Sequence, residues 1–129
     1  MTLAITPIYA GLLGLLFVAL SLWVVVRRVR AGAASGDAGD PALSDAIRAH
    51  ANFAEYVPLG LILMALAEAQ GMPAVALHLY GGALLLARTM HAAGMARRPN
   101  VPPLRGGGWL LTVVALLAGA LGVLGHALL

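Results

Sequence analysis

The 129-residue chain contains no cysteine, so disulfide frameworks, thiolate zinc sites and a thiol nucleophile are excluded, and the redox compartment is left open. It contains no lysine either; all eight basic residues are arginines. Charged residues make up only 10% of the chain, against about 25% in a soluble globular domain. With 61% apolar residues and a mean hydropathy of +0.93, this rules out a disordered chain and leaves too little polar surface for a water-soluble one. Aromatics stand at 5% and do not interleave with basic residues, so a pI near 10.2 does not indicate a nucleic-acid surface.

What is present is long apolar runs. A membrane-spanning helix needs roughly 20 mostly apolar residues. Four segments meet that requirement, at about 7–28, 42–70, 73–96 and 107–128. The expected fold is an all-α integral membrane protein: one domain over residues 1–129, a four-helix up-down bundle with almost nothing outside the bilayer. The first segment is too long for a cleavable signal peptide, and no positive charge precedes it.

The linkers are readable. Arg30 to Asp40 is rich in Gly, Ala, Ser and Asp, and Pro41 then suits the first turn of a helix. Gln70 to Met72 is a tight turn, with Gly71 to end one helix and Pro73 to open the next, so the second and third helices form an antiparallel hairpin. Arg97 to Gly108 holds three prolines and three glycines and is expected to be non-helical. Arg27, Arg28 and Arg30 follow the first helix, and Arg97, Arg98 and Arg105 follow the third, all on one side of the bundle. The opposite side carries no lysine or arginine. The positive-inside rule therefore places both arginine-bearing linkers in the cytoplasm and both termini outside.

An ionisable residue inside a span costs several kcal/mol unless it is paired, hydrated or functional. The second helix nevertheless carries Asp45, Arg48, Asn52, Glu55 and Tyr56, which share about a third of its circumference. Two readings stand together: a polar clamp between helices, and a pocket at the cytoplasmic end for a charged, amide-rich small molecule. Arginine suits a carboxylate, asparagine an amide, and glutamate an ammonium group. On the third helix Arg88 is expected to face protein and pair with Glu55 or a ligand anion, with His91 and Met95 on the same side. His50 and Glu68 fall opposite the cluster and are expected at an interface or the membrane surface; His78 and His126 have no evident partner. No residues have convincing metal-ligand spacing, so no metal is expected. Gly119, Gly122 and Gly125 form a stripe that permits close helix approach, and Trp23 and Trp109 are expected to be interfacial anchors.

The run Arg48–Ala49–His50–Ala51–Asn52–Phe53–Ala54–Glu55–Tyr56–Val57–Pro58 resembles the second-helix signature, R-x-x-x-N-x-x-E-[YF]-x-P, of the MAPEG family. These are membrane-associated proteins of eicosanoid and glutathione metabolism. The spacing Arg88, His91, Gly94 is similar to the third helix of bacterial members, and the four-span layout extends the resemblance over essentially the whole chain.

The resemblance implies a homotrimer in a bacterial inner membrane, with glutathione as co-substrate between neighbouring subunits near the cytoplasmic face. It places Arg48, Asn52, Glu55 and Tyr56 on glutathione, with Arg27 or Arg28 reaching a carboxylate and Arg88 and His91 completing the site. Where leukotriene synthase has third-helix tyrosines, this chain has His91 and Met95. The family's thiol-activating arginine would be Arg97, Arg98 or Arg105. The implied function is a glutathione transferase or peroxidase acting on lipophilic electrophiles that arrive through the lipid. A non-catalytic lipid- or ligand-binding member is the alternative. A small multidrug exporter is disfavoured, because the first helix lacks the intramembrane carboxylate such exchange needs.

Overall fold

The structure is a computed structural model and describes residues 2–129. Four helices account for most of it: α1 (Thr6–Ala31), α2 (Pro41–Ala69), α3 (Ala74–Ala96) and α4 (Pro102–Leu128). At about 1.5 Å per residue each is longer than a hydrocarbon core of about 30 Å. α1, α2 and α4 are also apolar enough to cross a membrane. α3 is as apolar over most of its length, but His78, Arg88 and His91 set it apart.

Local chemistry marks the helix ends. The Asp40 side chain accepts from the Ala42 N–H and Pro41 occupies the first turn, so α2 starts capped. Gly71, at φ +85°, turns the chain out of α2 and into Pro73. At the far end of that helix the Glu68 carboxylate accepts the backbone N–H groups of Ala4, Ile5 and Thr6, each at 2.7 Å. These are amides that the first turn of α1 leaves without intrahelical partners. Glu68, expected at an interface or the membrane surface, is a cap that joins α2 to the start of another helix. His50 likewise joins α2 to α1: its Nε2 lies 2.9 Å from Ser21 Oγ, and its ring stacks on Phe17. His78 also has a partner, Tyr9, whose hydroxyl is 3.0 Å from its Nδ1.

α4 begins at Pro102, five residues before its expected start. Pro102 and Pro103 occupy first-turn positions, where an N–H would be unbonded in any case. The glycines after them do not break the helix but let it approach α3. A Cβ on Gly108 would lie 2.5 Å from the Ala87 oxygen and 2.6 Å from the His91 nitrogen. One on Gly94 would meet the Arg105 nitrogen at 2.5 Å. The expected stripe contributes less: Gly119 and Gly122 face the Tyr80 and Met72 side chains, and Gly125 faces nothing within 4 Å.

α2 and α3 form the centre, with α1 packed on both from one side and α4 on both from the other; α1 and α4 do not touch. The main core joins Leu13 and Leu20 of α1 to Phe53 and Val57 of α2 and to Leu84 of α3. Outside, the helices present Leu15 (70% exposed), Val75 and Leu79. An apolar exterior of this extent suits lipid or another copy of the chain, not water.

Candidate functional site

At the arginine-bearing end, α2, α3 and α4 line a cleft of about 430 Å³, the scale of a small-molecule site. Arg48 and Asn52 line it from α2, His91 and Met95 from α3, and Arg105, Gly106 and Trp109 from α4. No carboxylate is in the wall. A second cavity, of about 360 Å³, lies between the opposite halves of the same three helices and is almost wholly apolar. Its one hydroxyl, on Tyr80, donates to the Gly60 oxygen at 3.1 Å, so the ionisable chemistry belongs to the first cleft.

Behind the cleft Arg88 is 1% exposed. It donates to Asn52 Oδ1 at 2.8 Å and, more weakly, to Thr112 Oγ1 at 3.4 Å, with its guanidinium 5.7 Å from the Phe53 ring centre. The expected pairing with Glu55 does not form within the chain. Glu55 is exposed and, among the described residues, has no hydrogen-bond partner, because it points off the bundle while Arg88 points into it. The Asn52 oxygen is turned toward Arg88, which leaves its amide N–H groups free to donate elsewhere.

His91 is 7% exposed, and its Nδ1 lies 3.0 Å from the main-chain oxygen of Arg105. The close approach at Gly94 and Gly108 makes that contact possible, because it brings the start of α4 against the end of α3. Trp109 Nε1 donates to the Tyr56 hydroxyl at 3.1 Å. Trp109 is thus part of the cleft wall, tied to α2, as well as being near the end of a span.

The three arginines expected as thiol activators separate. Arg105 lines the cleft. Arg98 is engaged by Asp45 at 2.7 Å, outside the cleft wall. Arg97 is exposed in the linker and does not line it. Asp45 accordingly leaves the polar face of α2 for this linker contact. Arg27 and Arg28 do not line the cleft; Arg28 donates to the Gly36 oxygen at 2.8 Å and braces the loop after α1. Thr112, which helps hold the buried cation, carries no signal in the sequence, because it is a lone hydroxyl in an apolar stretch of α4.

The MAPEG family model matches residues 6–125. The inner membrane protein YecN of Escherichia coli K12 is 37% identical over 94 residues, covering 73% of this chain and 72% of that protein. YecN of the Escherichia coli O6:H1 strain CFT073 matches to the same extent. No solved structure matches the chain.

Proposed function

The chain belongs to the MAPEG family and is an integral membrane protein, and from that premise we propose that it binds glutathione in the cleft at the arginine-bearing end and transfers it to lipophilic electrophiles. The observation that carries this reading is the cleft itself: two guanidinium groups, an oriented amide and no carboxylate in the wall. Glutathione brings two carboxylates, two amides and a thiol, so Arg48 takes a carboxylate and Asn52 donates to an amide or carboxylate oxygen. Arg105 stands beside the sulfur, where a guanidinium favours the thiolate over the thiol.

All four helices span in this reading, in a bacterial inner membrane, with the arginine-bearing linkers in the cytoplasm, both termini outside, and the electrophile entering from the lipid. The protein acts as a homotrimer. Glu55 lies midway along α2, exposed on the protomer surface, and a charge there cannot face lipid without a cost of several kcal/mol. A neighbouring subunit covers it, and the ammonium group of glutathione and Arg27 or Arg28 of that neighbour complete the site around it.

Calorimetry on detergent-purified protein tests the reading, with wild type compared to Arg48→Ala and turnover of chloro-dinitrobenzene followed on the same samples. Binding that weakens at least tenfold in the variant, with turnover in the wild type, supports it. Binding without turnover makes the protein a non-catalytic ligand-binding member. No binding reduces the polar face to a clamp between helices.

A further inference from the structure

We propose that His91 is the general base that removes the thiol proton. The proposal rests on the reading of the cleft as a glutathione site. A guanidinium has no lone pair to offer, so Arg105 can stabilise a thiolate but cannot take the proton that its formation releases. A proton acceptor in the same wall takes it directly, ahead of water.

His91 has the free nitrogen. Its Nδ1 is 3.0 Å from the Arg105 main-chain oxygen, and a carbonyl oxygen only accepts, so Nδ1 carries the hydrogen. In the neutral ring this leaves the lone pair on Nε2. Nε2 has no hydrogen-bond partner, yet it is not sealed in: among the described residues the buried, unpartnered side-chain polar atoms are Thr6 Oγ1 and Arg88 Nε. The ring is 7% exposed and lines the cleft. Of the other acceptors in the wall, Asn52 Oδ1 is taken by Arg88.

The charged and titratable groups around the ring all leave it this task. α2 contributes Arg48, with Tyr56 behind it bonded to Trp109; α3 contributes the buried Arg88; α4 contributes Arg105; and α1 contributes no residue to the cleft. No carboxylate in the cleft wall competes for the proton on Nε2. The step balances without any further reactant. The S–H bond breaks, an N–H bond forms at Nε2, and the electron pair stays on sulfur beside Arg105. The thiolate then attacks the electrophilic carbon; with chloro-dinitrobenzene a C–S bond forms and chloride leaves with the C–Cl pair. The imidazolium returns its proton to water.

The discriminating variant is His91→Asn, whose amide N–H occupies the place of Nδ1–H and preserves the bond to Arg105 while the Nε2 lone pair is gone. Three quantities are compared with wild type: affinity for S-methylglutathione, which has no thiol proton; the ultraviolet absorbance of bound glutathione thiolate at neutral pH; and kcat against pH with chloro-dinitrobenzene. The expected result is S-methylglutathione affinity within about twofold of wild type, loss of the thiolate signal, and kcat lower by about 100-fold at neutral pH but recovering as pH rises. Wild-type thiolate signal and turnover in the variant overturn the proposal. So does an equal loss of S-methylglutathione binding, which makes His91 part of the scaffold. If His91→Asn does not fold, His91→Gln is judged by the same three quantities, and failure of both to fold likewise assigns His91 to the scaffold. Wild-type protein that binds no glutathione removes the site reading itself, and this inference with it.

Discussion

Arg88 holds Asn52 by its side-chain oxygen at 2.8 Å, from a position that is 1% exposed, and so decides which way the Asn52 amide faces. The pair clamps α2 to α3 and leaves only the amide N–H groups of Asn52 free to donate. Polar contacts between membrane helices average about 0.6 kcal/mol in double-mutant cycles, with a maximum near about 1.7. A cycle of Asn52→Ala with Arg88→Met, read by unfolding in denaturing detergent, is expected to give a coupling of about 1 kcal/mol, near the upper part of that range because one partner is charged. Asn52→Ala alone is expected to destabilise more than the double variant, since it strands the cation with only the longer Thr112 contact. Equal stability of the two would deny that Asn52 balances Arg88.

A second prediction concerns the opposite end. Glu68 gathers three backbone N–H groups ahead of α1, and both the negative charge and the two-oxygen geometry matter there. Glu68→Ala is expected to lower Tm and to abolish hydrogen-exchange protection of the Ile5 and Thr6 amides, while Glu68→Gln retains part of it. The glutathione affinity proposed for the cleft at the other end is expected to be the same in both variants as in wild type. Unchanged protection in Glu68→Ala would remove the capping role.

The α3–α4 crossing gives a third. Gly108→Ala places a methyl group against backbone atoms of Ala87 and His91 that cannot swing away, so the helices must separate. Overpacking of this kind costs about 1–3 kcal/mol, and here it also pulls the Arg105 oxygen from His91. Gly125→Ala, in open space, is the control and is expected to leave Tm and ligand affinity unchanged. Detergent unfolding and calorimetry on the two variants separate a required glycine from a merely repeated one.

Much of this architecture is legible in the sequence for definable reasons. Asp40–Pro41 and Gly71–Met72–Pro73 are local signals, and both ends of α2 and the start of α3 lie within a residue of where these place them. The helical period alone puts Arg48 and Asn52 on one side, and both line the cleft. Other features leave no local signal. Glu68 binds backbone amides, which are the same whatever residues carry them. Pro102, Pro103 and Gly106 to Gly108 read as helix breakers by composition. Their positions in the first turns of α4 and against α3 reverse that meaning, which is a fact of packing. Spacing pairs Arg88 with Glu55 or a ligand anion, yet Glu55 sits on the outward face, and Thr112 is a lone hydroxyl in an apolar stretch of α4 that nothing in the sequence advertises.

The last prediction separates the arginines that spacing could not. Arg98 is 45% exposed in its side chain and pairs with Asp45 at 2.7 Å, an exposed ion pair of the kind worth about 0.2–1 kcal/mol. Arg98→Ala is therefore expected to shift Tm slightly, with a shift that shrinks in high salt, and to leave glutathione affinity and kcat as they are. Arg97→Ala is expected to change neither. Arg105→Ala removes a guanidinium from the cleft but keeps the main-chain oxygen that holds His91, so the scaffold survives while the thiolate loses its counter-charge. Its kcat with chloro-dinitrobenzene is expected to fall by about 100-fold, the loss typical of one electrostatic stabiliser, while S-methylglutathione binding stays within about tenfold of wild type. A loss in Arg98→Ala that matched or exceeded this would move the thiol to the linker side of Asp45 and take the cleft out of the chemistry.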